Sequence, residues 1–228
     1  MAGATRGARG IAVTVESTPK KSFASAVDWP GWSRSGKTDG LALDALIAAA
    51  PRYAIVAREA GESLPSGAGG AAAYDVVEET AGGSGTAFGV PSAITELDRR
   101  PVTTAEAGRL VRLVEAAWAV FDGVAAGAPA ELRKGPRGGG RDRDKMIGHV
   151  VEAEWYYARE MGVRIKQPDP GDRTAVEAMR AAMLEVLRPP SDGSPLAGRK
   201  WTARYAARRI AWHALDHAWE MEDRSEPG

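Results

Sequence analysis

Alternating apolar and polar positions mark the first part of the chain. Residues 11–17 (IAVTVES) and 22–29 (SFASAVDW) both alternate with a period of two, which is typical of half-buried strands. A turn at Pro19 separates the two runs, so the pattern predicts a hairpin. Residues 30–36, rich in proline, glycine and serine, are predicted to form a turn that ends the second strand.

Apolar residues at helical spacing follow over residues 41–60, and Pro51 inside this run is expected to kink the helix or divide it in two. A flexible connection leads to residues 72–80, which we interpret as a third strand, and then to a glycine-rich loop. These elements predict a small α+β unit of order β-β-α-β within residues 1–98, with residues 1–10 disordered.

The pattern changes to intervals of three and four from residue 103 onwards. Thr103 and Glu106 fit a capping box, in which a hydroxyl caps the helix start and a carboxylate reaches back to it. Residues 99–228 are then predicted to form a four-helix bundle, because amphipathic helices follow one another without an intervening strand. The four predicted helices cover about residues 103–121, 142–161, 173–187 and 200–223.

Composition restricts the classes of function. Basic and acidic residues number 30 each, and this zero net charge argues against general attraction to nucleic acid or an anionic membrane. The chain has no cysteine, so any thiol chemistry must use a thiol supplied from outside. No apolar run approaches the roughly 20 residues of a membrane span, and the N-terminus lacks a signal-peptide pattern. A cytoplasmic enzyme or binding protein is expected.

All three histidines of the chain fall in predicted helices. His213 and His217 are four residues apart in the last helix, a spacing that places both side chains on one face. His149 lies in the helix predicted over residues 142–161. If these faces meet, three imidazole nitrogens converge, and three-ligand zinc sites leave a fourth position open. Nickel and iron also accept imidazole. The alternative is that these are ordinary surface or hydrogen-bonded histidines.

Carboxylates near the histidines are candidates to support such a site. Glu152, one turn beyond His149, is a candidate proton shuttle, and Asp216 and Glu220 are candidates to orient a ring N–H. A helical wheel groups further side chains with the His213/His217 pair: Ala206, Arg209, Ile210 and Glu220. The corresponding wheel groups these side chains with His149: Met146, Glu152, Ala153 and Tyr156.

A basic, glycine-rich segment over residues 132–145 leads into the helix that carries His149. Its cations could hold an anionic group, helped by glycine amides and the helix N-terminus. These candidate anion-binding residues are Arg133, Lys134, Arg137, Arg141 and Arg143. The spacing does not fit a Walker A loop. The alternative is a solvated loop in which Asp142 or Asp144 caps the helix.

Eight aromatic residues of the second region could wall a substrate pocket or fill the bundle core. They are Trp118, Trp155, Tyr156, Tyr157, Trp201, Tyr205, Trp212 and Trp219. In the first region, Phe23, Trp29 and Trp32 are expected to pack that unit onto the bundle or to cover the metal pocket.

Residues 103–224 resemble the DinB-like superfamily of metal-binding four-helix bundles, which places one metal histidine in its second helix and an HxxxH pair in its fourth. His149, His213 and His217 match those positions, and the closing WHALDHAWEMEDR looks like actinobacterial members. The resemblance implies a divalent metal such as zinc or nickel. It also implies transfer or isomerisation with a low-molecular-weight thiol such as mycothiol or bacillithiol.

Metal chemistry is compatible with that implication. A free thiol has a pKa of about 8.5, whereas a coordinating cation deprotonates it outright. The same open position could instead activate water for hydrolysis, and the residues leave both reactions open.

Residues 26–38 (AVDWPGWSRSGKT) and the helix after them resemble the HicB-like antitoxin half-domain. Asp28, Pro30, Gly31 and Gly36 match its strand, turn and glycine loop. The resemblance implies the β-β-α-β fold, but the DNA-binding segment usual in that family is not evident.

Three functions remain as hypotheses. The first is a metal-dependent enzyme acting on a small-molecule substrate, by thiol-dependent transfer or isomerisation or by hydrolysis. The second is a non-catalytic binding or stress-response module whose bundle serves dimerisation, as in a homodimer, or a partner. The third is an antitoxin-like regulator.

Overall fold

The computed structural model describes residues 10–135 and 140–225. Within these ranges the chain is a mixed α+β protein with a four-stranded sheet and seven α-helices. None of these helices is by itself long and apolar enough to cross a membrane, although the first two, bent by 53°, reach that length and apolarity together.

The sheet has the strand order β3-β2-β1-β4. Strands β1 (Ile11–Thr18), β2 (Lys21–Ala26) and β3 (Ser33–Gly36) form an antiparallel meander, and β4 (Tyr74–Ala81) adds to β1 in parallel. The hairpin and the later strand are therefore confirmed. The prediction that residues 30–36 form only a turn is wrong, because Ser33–Gly36 pairs along β2.

Helix α1 (Asp39–Ala48) and helix α2 (Ala50–Glu59) replace the single apolar run, and the division predicted at Pro51 is confirmed. Pro51 occupies the first turn of α2, where its missing N–H has no helical acceptor to lose. Trp32 fixes these helices to the sheet: its Nε1 donates to the carbonyl of Leu46 at 2.9 Å, and its ring stacks on Tyr53.

The glycine-rich segment after β4 contains a short helix, α3 (Ser84–Phe88). Glu16 of β1 is buried beneath it and accepts hydrogen bonds from the Thr86 hydroxyl and from the backbone N–H groups of Ser92 and Ala93. The buried carboxylate thus provides hydrogen-bond acceptors for polar groups of the segment that follows β4.

Four long helices complete the fold: α4 (Thr104–Gly127), α5 (Arg143–Glu160), α6 (Arg173–Leu187) and α7 (Ala203–Ser225). Each packs against two others in the cyclic order α4–α7–α5–α6. The capping box of Thr103 and Glu106 is confirmed. Helix α4 continues to Gly127, beyond the predicted end near residue 121. Its buried face extends into this last part, where Ala125 is buried.

Helix α7 lies between the sheet unit and the other long helices, and sixteen of its 23 residues are buried. Phe23 of β2 meets the Trp212 ring edge-to-face at 6.1 Å. Gly31, with a φ of +92°, lets the turn before β3 approach α7 so closely that a Cβ would lie 2.7 Å from Leu215. Buried side chains from the sheet and from the long helices form one continuous core.

Candidate metal centre

The three histidines lie together where α5 meets α7. One ring nitrogen from each of His149, His213 and His217 lies within 4.8 Å of the other two. Nε2 of His149 is 3.3 Å from Nε2 of His213, and the His217 ring centroid is 5.0 Å from that of His149 and 4.7 Å from that of His213. The convergence that the HxxxH spacing and the isolated His149 predict is therefore present.

Burial of α7 explains why these imidazoles face one another. His213 and His217 are only 6% and 9% exposed, and His149 on α5 is half-buried. The Tyr157 ring of α5 meets His213 edge-on, with centroids 5.7 Å apart. The pair therefore lies on the face of α7 that packs against α5.

The electrostatics keep His149 and His213 neutral. Burial, followed by the charges of His217 and Arg141, lowers the pKa of His149 to about 4. Burial also holds the pKa of His213 well below its usual range, with His217 and Arg209 adding to the effect. A neutral imidazole is the form that binds metal, so this donor set fits zinc or nickel.

A carboxylate orients the third ring. Nδ1 of His217 lies 3.0 Å from Oε2 of Glu220, and this hydrogen bond is the main reason that the pKa of Glu220 is lowered. An ionised carboxylate only accepts, so Nδ1 donates to Glu220, and Nε2 is the ring nitrogen that remains for a metal. Glu220 is thus placed as the orienting carboxylate that its spacing predicts.

The other predicted carboxylates lie elsewhere. Asp216 pairs with Arg34 of β3 at 3.2 Å and ties α7 to the sheet. Glu152 is exposed on α5, as is Tyr156, while Met146 is fully buried. The helical wheel that placed these three side chains on one inward face is therefore wrong, because α7 and α6 cover only part of α5.

Three of the predicted anion-binding cations already have partners within the protein. Arg133 donates to the backbone carbonyl of Asp223 at 2.7 Å, and Lys134 pairs with Asp142. Arg143 contacts Asp144 at 2.8 Å and the carbonyl of Ala128 at 3.1 Å. These contacts hold the segment against α7 and beside the start of α5. Asp142 precedes that helix, but its carboxylate accepts from Leu132 and Lys134 and makes no capping hydrogen bond to the first turn.

Arg141 differs from these three because its charge acts on the histidines. It is exposed, and it contributes to the lowered pKa values of His149, His213 and Glu220. Arg137, the fifth predicted cation, lies outside the described residues. The structure therefore brings one cation of the predicted segment to the histidines.

Arg209 shares a helical face with the His213/His217 pair, and its residue type and spacing alone predict no role for it. It lies one turn before His213 on α7, and its charge helps to lower the pKa of that histidine. The available signal was its position on the same helical face, four residues from His213.

A separate cavity of about 350 Å³ lies among α4, α5 and α6, on the side of α5 that carries Ile147 and Val151. Its buried Arg180 is matched by Glu154 and Asp122, at 2.9 Å from each. These charges satisfy one another, so the cavity offers less chemistry than the histidine cluster.

No protein-family model, curated protein or solved structure matches this chain.

Proposed function

We propose that this protein is a divalent-metal-dependent enzyme, with a DinB-like bundle of α4–α7 whose metal ligands are His149, His213 and His217. Its reaction would be transfer of a low-molecular-weight thiol to a small electrophile, or isomerisation with that thiol as cofactor. The observation that carries the proposal is the convergence of three imidazole nitrogens within 4.8 Å. Three protein ligands leave a position for an exchangeable group, as catalytic zinc sites do.

When bound, a divalent cation here would supply Lewis acidity that lowers the pKa of a thiol or water in its open position. The protein's own part is to hold the imidazoles in place: Glu220 fixes the His217 ring through Nδ1. Arg141 and Arg209 add positive charge beside the histidines, which favours an anionic group such as a thiolate.

Tyr157, whose ring centroid is 5.7 Å from that of His213, is a candidate proton donor that the structure adds. Burial raises the pKa of its phenol, so the hydroxyl stays protonated at neutral pH. The chain contains no cysteine, so a reacting thiol must come from the medium. This agrees with the external thiol implied by the resemblance.

Metal content tests the ligand set directly. Protein purified without a metal-binding tag and loaded with zinc or nickel should hold about one equivalent, counted by elemental analysis. His149→Ala should lose it, whereas Lys145→Ala, an exposed change on the same helix, should keep it. A wild-type chain that takes up no metal, or a His149→Ala variant that keeps it, would overturn the proposal.

The reaction class requires a second assay. The loaded protein would be mixed with mycothiol and the electrophile monobromobimane, and adduct formation followed by mass spectrometry. Metal-dependent acceleration that His149→Ala abolishes supports thiol transfer. Cleavage of an activated ester without any thiol, lost in the same variant, would instead assign the site to hydrolysis.

A further inference from the structure

Arg209 has an unusual environment. Its guanidinium lies 4.8 Å from the Trp212 ring centroid and 5.2 Å from the Tyr157 ring centroid. Nη1 is buried and has no hydrogen-bond acceptor within residues 10–135 and 140–225. Aromatic contacts satisfy the charge in part but not the N–H groups.

The neighbouring arginines of α7 are satisfied. Arg204 pairs with Glu106 at 2.8 Å, and Arg208 pairs with Asp98 at 2.7 Å. Arg209 has no ion pair of this kind in the part of the chain that the structure describes. A buried polar group without a partner is costly, so a water molecule or a ligand is expected to supply the missing acceptor.

The position of Arg209 connects it to the histidine cluster. Tyr157 contacts Arg209 through its ring and also meets His213 edge-on, with centroids 5.7 Å apart. The positive charge of Arg209 acts on His213, on Tyr157 and on Tyr205. A molecule that reaches the histidines therefore comes close to Arg209.

The two rings also define the kind of anion that suits this arginine. Contacts with aromatic ring faces leave the in-plane N–H groups of a guanidinium without acceptors, and those groups match the two oxygens of a carboxylate. Trp212 and Tyr157 would then contact the apolar body of the same molecule.

Space for a small molecule exists beside Tyr157, in a cavity whose lining includes neither Arg209 nor the three histidines. This cavity of about 340 Å³ is lined by Tyr157, Trp201 and Arg199, among others. Arg199 is matched there by Glu160 at 3.0 Å, so its charge is already compensated. Arg209 and Arg199 thus form a natural pair for experiment: one cation with an unpartnered nitrogen and one with a carboxylate partner.

We propose that Arg209 binds the carboxylate of the small molecule that enters the histidine site. This inference rests on the proposed function for the identity of the site, and it names the substrate class as small carboxylic acids with an apolar body. The carboxylate belongs either to the thiol or to its electrophilic partner.

The first test titrates benzoate and the neutral benzyl alcohol into the full-length protein, with and without zinc, by calorimetry. Wild type should bind benzoate at least about tenfold tighter than benzyl alcohol, the ratio expected for one charge-assisted contact. Arg209→Gln should lose this difference, Arg209→Lys should keep part of it, and Arg199→Gln should keep all of it. Near-UV circular dichroism would verify the fold of each variant.

The metal-free arm separates this inference from the proposed function. Benzoate binding that depends on Arg209 in a protein that takes up no zinc would support the anion site and overturn the metalloenzyme. Zinc uptake together with equal benzoate binding by wild type and Arg209→Gln would support the metal site and overturn the anion site. Arg209 would then be a packing residue.

The second test identifies which reactant carries the carboxylate. In cobalt-loaded protein, thiolate binding is followed by its ligand-to-metal charge-transfer absorption, with mercaptoacetate compared with neutral 2-mercaptoethanol. A preference for mercaptoacetate that disappears in Arg209→Gln places the carboxylate on the thiol. If mercaptoacetate and 2-mercaptoethanol bind equally well while benzoate binding still depends on Arg209, the carboxylate belongs to the electrophile. If Arg209→Gln changes the affinity for neither benzoate nor mercaptoacetate, the inference is overturned.

Discussion

Nδ1 of His217 lies 3.0 Å from Oε2 of Glu220, one turn further along α7, and the other oxygen of Glu220 accepts from Arg224 at 3.0 Å. The carboxylate is thus held from both sides, and the His217 ring cannot turn without breaking a hydrogen bond. Such a contact sets the tautomer and increases the basicity of the remaining ring nitrogen.

Replacing Glu220 should therefore weaken metal binding. We expect Glu220→Ala to lower zinc affinity by about 10- to 100-fold, the usual effect of losing a carboxylate that orients a histidine ligand. Competition with a chromogenic chelator measures this. The control is Glu222→Ala, at a carboxylate on the same helix as Glu220 that pairs with Arg52 of α2. This change should alter the zinc affinity little. Equal losses in both variants would point to a general effect on α7.

Metal addition should raise thermal stability through the same three ligands. A metal at about 100 times its Kd stabilises the folded state by about 2.7 kcal/mol, or roughly 5–10 °C in Tm for a chain of this size. Differential scanning calorimetry should show this shift in wild type and not in His213→Ala. An equal shift in the variant would mean that the metal binds elsewhere.

The effects of substitutions at Asp98 and Arg208 on stability should be strongly coupled, because the two side chains form an ion pair. Both side chains are almost fully buried, and Asp98 also accepts from Thr95. Asp98→Ala leaves a buried, unmatched guanidinium and should cost about 3–5 kcal/mol in urea unfolding. Asp98→Ala combined with Arg208→Met should recover much of that loss. Additive losses in the double variant would contradict the coupling.

Glu106 should make the stability of the protein depend on pH, and the sign of this dependence follows from its pKa. The Thr103 N–H, followed by Arg204, lowers the pKa of Glu106 to about 2, below its ordinary value of 4.5. Its contribution to stability is therefore present above about pH 4.5 and is lost as the pH falls toward 2. The side chain is 45% exposed, so the effect should stay below the roughly 1 kcal/mol of a typical cap.

Thermal unfolding between pH 5 and pH 2 checks this sign. Glu106→Gln keeps an acceptor but cannot titrate, so its stability should fall less with acid than that of wild type. Glu96→Gln, at an exposed carboxylate, should follow the wild-type curve. A Glu106→Gln curve parallel to wild type would show that the capping carboxylate does not carry the dependence.

Local signals in the sequence were enough for several elements. Pro51 divides a helical run because the proline ring clashes with the preceding turn, and Thr103 with Glu106 starts a helix because both satisfy free N–H groups there. His213 and His217 share a face for reasons of helix geometry alone. None of these predictions needs information from a distant part of the chain.

What the sequence could not reveal depends on distant partners. β3 has no apolar alternation, and it is a strand because β2 supplies the pairing, with Phe23 opposite Ser35. Glu152 faces solvent because of where α6 and α7 pack. The role of Arg209 depends on Trp212 and Tyr157, and the latter comes from another helix.

The placement of α7 between the sheet and the other long helices has a thermodynamic consequence for any ion bound there. Two of the three ligands and Arg209 sit on a helix already immobilised from both sides, by Phe23 and the Gly31 turn on one side and α4 and α5 on the other. Their reorganisation energy on binding should be small, since the conformational entropy was lost when the chain folded. Affinity at this centre should therefore vary with the integrity of a sheet that provides none of its ligands.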